Sequence, residues 1–186
     1  SVARVDGVES LPETSVGGSN FAYRKRLDGG YTVAMRGGSI AEITPDSFRL
    51  FFDFLPAWIS EWRDLKVRPG RRFGEELRRP TSWHLDEPTP FESVRVLDPK
   101  PNDQIVRRGV GNLQRSVPQF RAAKITDTWA GMIDTTPDGV PVISEVASVP
   151  GFFVATGFSG HGFGIGPGAG KLAADLVAGD RPMLEA

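Results

Sequence analysis

The sequence contains no cysteine and only two histidines, His84 and His161, among its 186 residues. Without cysteine the chain cannot form disulfides, thiolate zinc sites, thiol nucleophiles or a cysteine tether to a cofactor. Two histidines are too few for a histidine-rich metal site, so we expect no bound metal. The absence of cysteine also fits a reducing compartment.

Long apolar runs and a strong net charge are absent as well. No apolar run approaches the roughly 20 residues that a membrane-spanning helix needs. The opening residues, SVARVD, lack the apolar stretch of a secretory signal. A formal net charge of −1 does not favour nucleic acid or an acidic membrane as a partner. We therefore expect a soluble, cytoplasmic protein without a membrane span.

Glycine and proline are abundant, with 22 and 15 residues, and 39% of the chain is hydrophobic. That balance is typical of a folded domain that is rich in loops. Residues 20–36 predict a β-hairpin, because Asp28, Gly29 and Gly30 form a turn signal between two β-rich runs.

A helical stretch is predicted over 45–64, with Thr44 as the N-cap and Pro45 in the first turn. We expect a kink, or a second helix, to begin at Pro56. The apolar residues in this stretch recur at helical spacing and predict a buried stripe, with a flavin or partner surface as the alternative; it is formed by Phe48, Phe51, Phe52, Leu55 and Ile59.

Residues 63–79 are rich in arginine but interleaved with acidic residues. A phosphate-binding patch is one interpretation, and a solvated face with local ion pairs is the one that the mixed signs favour. Short β-like pieces follow at 94–97, and a second amphipathic helix is predicted over 105–118.

The last third has a different pattern. Strands are predicted at 125–131 and 140–143, on either side of a tight turn at 136–139. A strand of buried type follows at 152–156, then a loop with glycine at 157, 160, 162, 164, 166, 168 and 170, and a closing helix that ends near Gly179.

A strand, a glycine loop and a helix together can present backbone N–H groups and a helix N-terminus to an anion or an electron-rich ligand edge. A phosphate-binding P-loop is excluded, because Ile165 and Leu172 stand where it needs glycine and serine or threonine. A dinucleotide fingerprint at 168–173 has no following strand to complete its unit. A glycine-rich connector that serves only helix packing remains the alternative.

Two segments carry a family resemblance. Residues 129–143 (WAGMIDTTPDGVPVI) and 151–164 (GFFVATGFSGHGFG) resemble the DAO superfamily of flavoenzymes, which includes glycine oxidase, sarcosine oxidases and dehydrogenases, and D-amino-acid dehydrogenases. The match is dense over 125–182 and looser over 20–124. The local pattern at 131–134 is most similar to the β subunits of multi-subunit sarcosine, proline or opine-type enzymes.

The resemblance implies an α+β fold: a largely antiparallel substrate-domain sheet with helices on one face, and a C-terminal strand–loop–helix that completes an FAD-binding lobe. Residues 1–130 would form the substrate-binding lobe and residues 131–186 the C-terminal part of the FAD lobe. The N-terminal dinucleotide-binding half, which grips the ADP end of FAD, is expected to lie outside this sequence, in a missing half or a partner subunit.

The resemblance also implies FAD as the cofactor. The flavin-binding residues would be Gly131, Gly157, Phe158, Ser159, Gly160, His161, Gly162, Phe163 and Gly164. Relatives that tether flavin use a cysteine near Gly131, so FAD is expected to bind non-covalently. The loop N–H groups would stabilise the negative charge that develops at flavin N1 and the C2 carbonyl on reduction.

The substrate anchors of known members are missing. Glycine-oxidase-like members have arginine at Ile133, and monomeric sarcosine oxidases have lysine at Gly164. Arg36 is a candidate ligand for a substrate carboxylate, although a surface cation is the simpler interpretation. Trp129 either walls the flavin or fills the core, and His161 serves either loop geometry and flavin contact or general-base catalysis.

We therefore expect the C-terminal part of an FAD-dependent oxidoreductase that oxidises the C–N bond of an amino acid or secondary amine, and that is not competent alone. A non-catalytic domain that binds an anion or small ligand, or a structural subunit of a heteromeric flavoenzyme, is the alternative. The sequence leaves the catalytic residues, the substrate and the electron acceptor open.

Overall fold

The structure of the protein is a computed structural model that describes residues 1–8, 11, 13–62, 65–84 and 86–182. Its contacts divide the chain into two compact units, Ser1–Met132 and Ile133–Ala186.

An antiparallel sheet of five strands forms the first unit. The strands are β1 (Val2–Asp6), β2 (Val16–Gly17), β3 (Ala22–Lys25), β4 (Tyr31–Ala34) and β7 (Lys124–Trp129), in the order β2-β3-β4-β1-β7. The pair β3 and β4 confirms the hairpin predicted at 20–36. Strand β1, which lies between β4 and β7, was not predicted from the sequence.

Helix α5 (Asp103–Ser116) packs on this sheet and confirms the second predicted helix. Its N-cap, Asn102, accepts a hydrogen bond from the N–H of Ile105 at 3.0 Å. Gly109 allows α5 to pack closely against Met35, the residue that follows β4. A Cβ built at Gly109 would lie only 3.0 Å from the backbone nitrogen and the Cβ of Met35. Helix α5 therefore lies so close to the end of β4 that a side chain at position 109 would be crowded.

The core of the first unit lies between the sheet, α5 and a 3₁₀ turn at Pro118–Phe120. Aromatic rings dominate it: the ring of Phe120 lies 4.9 Å from that of Tyr23 and 5.1 Å from that of Tyr31. The hydroxyl of Tyr31 accepts a hydrogen bond from the N–H of Leu11 at 2.9 Å, so its polar end is satisfied. The remaining buried core residues are Ala3, Val5, Phe21, Val33, Val106, Val110 and Leu113.

Residues 39–93 form a separate group of short elements. β5 (Ser39–Ile43) and β6 (Leu65–Pro69) pair in parallel, and four helices accompany them: α1 (Pro45–Arg49), α2 (Phe51–Glu61), α3 (Arg71–Leu77) and α4 (Pro90–Ser93). Thr44 is the N-cap of α1, as predicted. The expectation that a second helix begins at Pro56 is wrong, because α2 begins at Phe51 and contains Pro56. The alternative, a kink at Pro56, stays a prediction.

The prediction of a buried stripe on these helices is also wrong. Phe48, Phe51, Phe52 and Ile59 are exposed, and only Leu55 is partly buried. The stripe meets little that could cover it: Phe48 touches the ring of Phe73 in α3 edge-on, at 6.3 Å between centroids.

Two further expectations for this region have different outcomes. The arginine-rich stretch forms local ion pairs, as the mixed signs favoured: Arg68 with Glu42 and Arg72 with Glu76. Arg63 and Asp64, at the end of the predicted first helical stretch, lie outside the described residues. The short β pieces expected at 94–97 are wrong, since these residues form no strand.

The second unit contains a two-stranded antiparallel sheet, β8 (Val142–Glu145) with β9 (Phe153–Thr156), and helix α6 (Gly162–Ala178), which contacts both strands. Gly179 ends α6 in the left-handed conformation, with φ of 73°, as predicted. The strand predicted at 152–156 exists, but it is exposed or only partly buried, because β8 is its only strand partner among the described residues.

The fold class is therefore the predicted α+β arrangement, with a largely antiparallel sheet and a C-terminal strand–loop–helix. No helix in the described part of the chain has the length and apolarity that crossing a bilayer requires.

Leu113 and Leu27 offer a matched test of the core of the first unit. Leu113 is fully buried in α5, whereas Leu27 is fully exposed at the tip of the hairpin. Replacing Leu113 by alanine should lower the free energy of unfolding by about 2–5 kcal/mol, because it leaves a cavity. Leu27→Ala should change it by no more than about 0.5 kcal/mol. Urea denaturation of both variants measures the difference, and equal effects would contradict this description of the core.

Candidate functional site

The connection between β9 and α6 is an unusual turn. Gly157, Ser159 and Gly160 have positive φ values of 72°, 50° and 84°. Ser159 is the one non-glycine residue with positive φ in the described part of the chain. A non-glycine residue in this region of φ is uncommon and persists only where its surroundings hold it. The turn therefore has a conformation that the residues around it must impose.

Helix α6 starts earlier than predicted. Gly162, Phe163 and Gly164 were expected in the glycine loop, but they form the first turn of the helix. The loop itself is therefore only 157–161. A glycine in a helix interior costs about 1 kcal/mol relative to alanine, so glycine at positions 162, 164, 166, 168 and 170 weakens a helix that its contacts with β8 and β9 support.

The N-terminus of α6 has no side-chain cap. His161 is the N-cap residue, and its side chain makes no capping hydrogen bond. The N–H groups of Gly164 and Ile165 donate to the His161 carbonyl, at 3.0 and 3.3 Å. The N–H groups of Gly162 and Phe163 lie at the start of the helix, where no intrahelical acceptor exists for them. The partial positive charge of this end is therefore available to an electron-rich ligand.

The surface beside this end is open. A Cβ built on Gly164, Gly166, Gly168 or Gly170 would meet no atom of the described residues within 4 Å. The ring of Phe163 is 96% exposed, which is exceptional for a phenylalanine in a folded domain. The first turns of α6 therefore present open surface, although Gly162 itself lies against the Phe158 side chain, with 3.3 Å between the Phe158 Cβ and a Cβ built on Gly162.

Asp134 holds the turn from the other side. One carboxylate oxygen, Oδ2, accepts hydrogen bonds from the Thr156 hydroxyl at 2.5 Å and from the Gly157 N–H at 2.7 Å. The backbone carbonyl of Asp134 accepts a third, from the Ser159 N–H at 2.9 Å. Thr135 forms an antiparallel bridge with Phe158. Residues 134–135 and 156–159 therefore form a short ladder, which we call the 134–159 ladder.

Thr136 extends the same contact. Its N–H donates to the Ser159 hydroxyl at 3.3 Å, and that hydroxyl donates in turn to the Gly157 carbonyl at 3.1 Å. A Cβ on Gly157 would lie 2.4 Å from the Thr136 methyl group. Only glycine fits at 157, both for its φ and for this contact.

The Thr156 hydroxyl, and then the Gly157 N–H, lower the pKa of Asp134, since both stabilise the carboxylate. Because the folded pKa is depressed, the contribution of this group to stability is complete above the ordinary value near 4. It is lost as the pH falls through the lower folded value. At neutral pH the ladder therefore contains a fixed negative charge.

The predicted substrate anchors lie in different places. Ile133 is 59% exposed in the second unit, and its side chain lies 3.8 Å from a Cβ built on Gly160. Arg36, Trp129 and Gly131 belong to the first unit. Arg36 is exposed and donates to the Gly18 carbonyl at 3.1 Å, Trp129 is partly buried at the end of β7, and Gly131 has open space around it. The ligand roles of these residues stay predictions.

The geometry defines a class of site: backbone donors and an uncapped helix N-terminus beside an open apolar surface, which suit the electron-rich edge of a flat heterocycle. Residues 23–176 match the family model described as DAO, FAD dependent oxidoreductase, and the chain belongs to this family of FAD-dependent oxidoreductases.

Several individual proteins are similar to this chain. L-amino acid deaminases from Proteus vulgaris and from Proteus myxofaciens, the latter in complex with anthranilate, share 27% and 30% sequence identity with the chain. Their TM-scores are 0.89 and 0.90 over 99% of it. A glycine oxidase from Pseudomonas aeruginosa strain PAO1 is 26% identical over 48% of this chain, and FAD-dependent oxidoreductase domain-containing protein 1 from Xenopus laevis is 39% identical over 35% of it.

The chain spans less than half the length of each of these relatives. It covers 43% and 41% of the two deaminase chains, 24% of the glycine oxidase and 13% of the Xenopus protein. Membership in this family indicates FAD as the cofactor of the protein. That residues 157–164 bind the flavin of FAD stays a prediction from the resemblance.

Gly157 and Gly139 provide a matched test of the turn. Both have positive φ, 72° and 74°, but a Cβ would clash with Thr136 only at Gly157 and has open space at Gly139. Gly157→Ala should therefore lower the free energy of unfolding by about 1–3 kcal/mol more than Gly139→Ala. Adding Thr136→Ser, which removes the clashing methyl group, should recover part of this difference in thermal denaturation. Identical losses at the two glycines would show that φ alone matters.

Proposed function

We propose that the protein oxidises the C–N bond of an amino acid or secondary amine. The chain contributes the flavin-facing segment 157–164, which includes the uncapped start of α6. The observation that supports this most directly is the helix N-terminus without a side-chain cap, which lies next to open surface. The names of the relatives, deaminase of L-amino acids and glycine oxidase, favour amino acids as the substrate class.

The chemistry divides between cofactor and protein. FAD supplies the acceptor, flavin N5, for two electrons and a hydrogen. The hydride leaves the carbon next to the nitrogen, the nitrogen lone pair forms the C=N bond, and the nitrogen releases a proton to give a neutral imine. For a primary amine, water then releases ammonia and leaves a carbonyl compound.

The part of this chain is electrostatic. The N–H groups of Gly162 and Phe163, with the dipole of α6 behind them, would donate to the flavin edge where negative charge develops on reduction. A helix dipole contributes about 0.3–1 kcal/mol at an exposed site and up to about 2 kcal/mol in a partly buried one. The donors are fixed before the reaction, so they need no reorganisation during it.

The substrate is not held by the arginine of glycine-oxidase-like members, because Ile133 stands at that position and is apolar. An apolar side chain there favours a substrate with an apolar group near the flavin, or one whose carboxylate is bound from another direction. Arg36 remains a candidate for the cation that binds the substrate carboxylate.

Anaerobic reduction tests the proposal without an electron acceptor. The whole flavoprotein, purified with FAD, should lose its absorbance near 450 nm when an L-amino acid, a D-amino acid or an N-methyl amino acid is added. We expect bleaching by at least one of these three classes and not by the corresponding 2-hydroxy acids, which lack the nitrogen. A protein that binds FAD tightly, but that none of the three classes reduces, would support the non-catalytic alternative.

His161 can be assigned by its effect on pH dependence. We propose that it serves the geometry of the turn and contacts the flavin, because it is the N-cap of α6 and its backbone N–H donates to the Phe158 carbonyl at 2.8 Å. His161→Asn should weaken FAD binding and leave the shape of the pH profile of kcat/KM unchanged. A general base would instead cause a loss of about 10²–10⁴ in kcat/KM together with loss of the acidic limb of that profile.

A further inference from the structure

The 134–159 ladder contains one side chain that reaches two donors at once. Oδ2 of Asp134 accepts from the last residue of β9, Thr156, and from the first residue of the turn, Gly157. The backbone of the same residue accepts from Ser159. A single residue therefore fixes the chain immediately before, at the start of and within the turn with positive φ.

The turn needs such a fixed support. Ser159 has φ of 50°, a strained conformation that a non-glycine residue keeps only where the surrounding structure determines it. The position of the N–H groups at the start of α6 depends on this turn, because 157–161 is the whole connection between β9 and the helix. A change of a few tens of degrees at Ser159 would turn those donors away from a ligand.

We propose that Asp134 is a positioning residue for the flavin, and that it acts by holding residues 156–159 in the conformation that presents the α6 N-terminus. This inference rests on the proposed function, since it assigns a role to the same turn. Asp134 lies outside the segment 157–164 that was predicted to bind FAD.

The carboxylate is better suited to this role than an amide. Both hydrogen bonds end on Oδ2, and hydrogen bonds to a charged acceptor are roughly twice as strong as neutral ones. An asparagine oxygen can occupy the Oδ2 position and accept both bonds, but without the charge. The structure therefore predicts a graded series, in which Asp134→Asn weakens the ladder and Asp134→Ala removes its side-chain part.

Asp138 is the matched control. It belongs to the same segment, its carboxylate also accepts a backbone N–H, that of Val140 at 3.0 Å, and its pKa is also lowered, with that N–H as the first cause. Its carboxylate also hydrogen-bonds Thr136, but in the described residues it has no hydrogen bond to 156–159. Asp138→Asn therefore perturbs a neighbouring carboxylate and removes none of the hydrogen bonds that Asp134 accepts.

The experiment uses the whole flavoprotein with Asp134→Ala, Asp134→Asn and Asp138→Asn. FAD is removed and titrated back to give a Kd, and the midpoint potential of the bound flavin is measured. We expect the Kd of Asp134→Ala to rise by roughly tenfold or more, that of Asp134→Asn to rise less, and that of Asp138→Asn to stay within about twofold of the parent. The potential of Asp134→Ala should be more negative than that of Asp134→Asn, because both variants lack the charge and fewer donors would face the reduced flavin in Asp134→Ala.

Several outcomes would overturn the inference. Equal Kd values and potentials for parent and Asp134→Ala would do so, and so would a loss of thermal stability in both Asp134 variants with an unchanged potential, which would indicate a structural role alone. A parent protein that binds no FAD would instead contradict the proposed function, so the two failures are distinguishable.

A second pair of variants keeps the test decisive if Asp134→Ala does not fold. Thr156→Val removes one donor to Asp134 and retains the shape of the side chain, whereas Thr156→Ser retains the donor. The Kd for FAD should rise several-fold in Thr156→Val relative to Thr156→Ser. Equal values for these two would overturn the role of the ladder.

Discussion

The hydrogen bonds from Thr156, Gly157 and Ser159 to Asp134 determine how the chain leaves β9 and enters α6. Everything proposed for the flavin-facing end of the helix depends on this contact, because a helix N-terminus is useful to a ligand only in one direction. The helix cannot set that direction by itself. Its first turns are rich in glycine and carry no side-chain cap, so their intrinsic tendency to form a helix is low.

Local patterns in the sequence were sufficient for elements whose partners lie close along the chain. The hairpin at 20–36, the Thr44 N-cap, α5 and the Gly179 helix end all rest on contacts within a few residues. Long-range pairing was not predictable in this way: β1 lies between β4 and β7, more than 20 and 100 residues away along the chain. The prediction that the apolar stripe of α1 and α2 is buried was wrong for a related reason. Helical spacing shows which residues share a face, but it does not show what covers that face.

The candidate site likewise contains one part that the sequence predicted and one part that it did not. The run of glycines and the family resemblance directed attention to 157–164, where the structure has positive φ values at Gly157, Ser159 and Gly160 and open space at Gly164. Asp134 was not singled out, although it stands inside a segment that carries the resemblance. Its importance comes from contacts with residues 22 and 23 positions further along the chain, and an aspartate before a turn signal has no pattern that distinguishes such contacts from an ordinary surface position.

Ile133, which stands where relatives have a cationic substrate anchor, is followed directly by the negatively charged Asp134 of the 134–159 ladder. In this unit the fixed charge next to the turn is negative, that of Asp134, and its lowered pKa keeps it ionised at neutral pH. A substrate carboxylate that approached residues 133–134 would meet an apolar side chain followed by a like charge. Under the proposed function, electrostatics therefore favour a cation elsewhere in the enzyme as the ligand of the substrate carboxylate. An amino group is cationic in water and loses that proton before its lone pair forms the C=N bond, so the negative charge that supports the turn is compatible with the arrival of an amine.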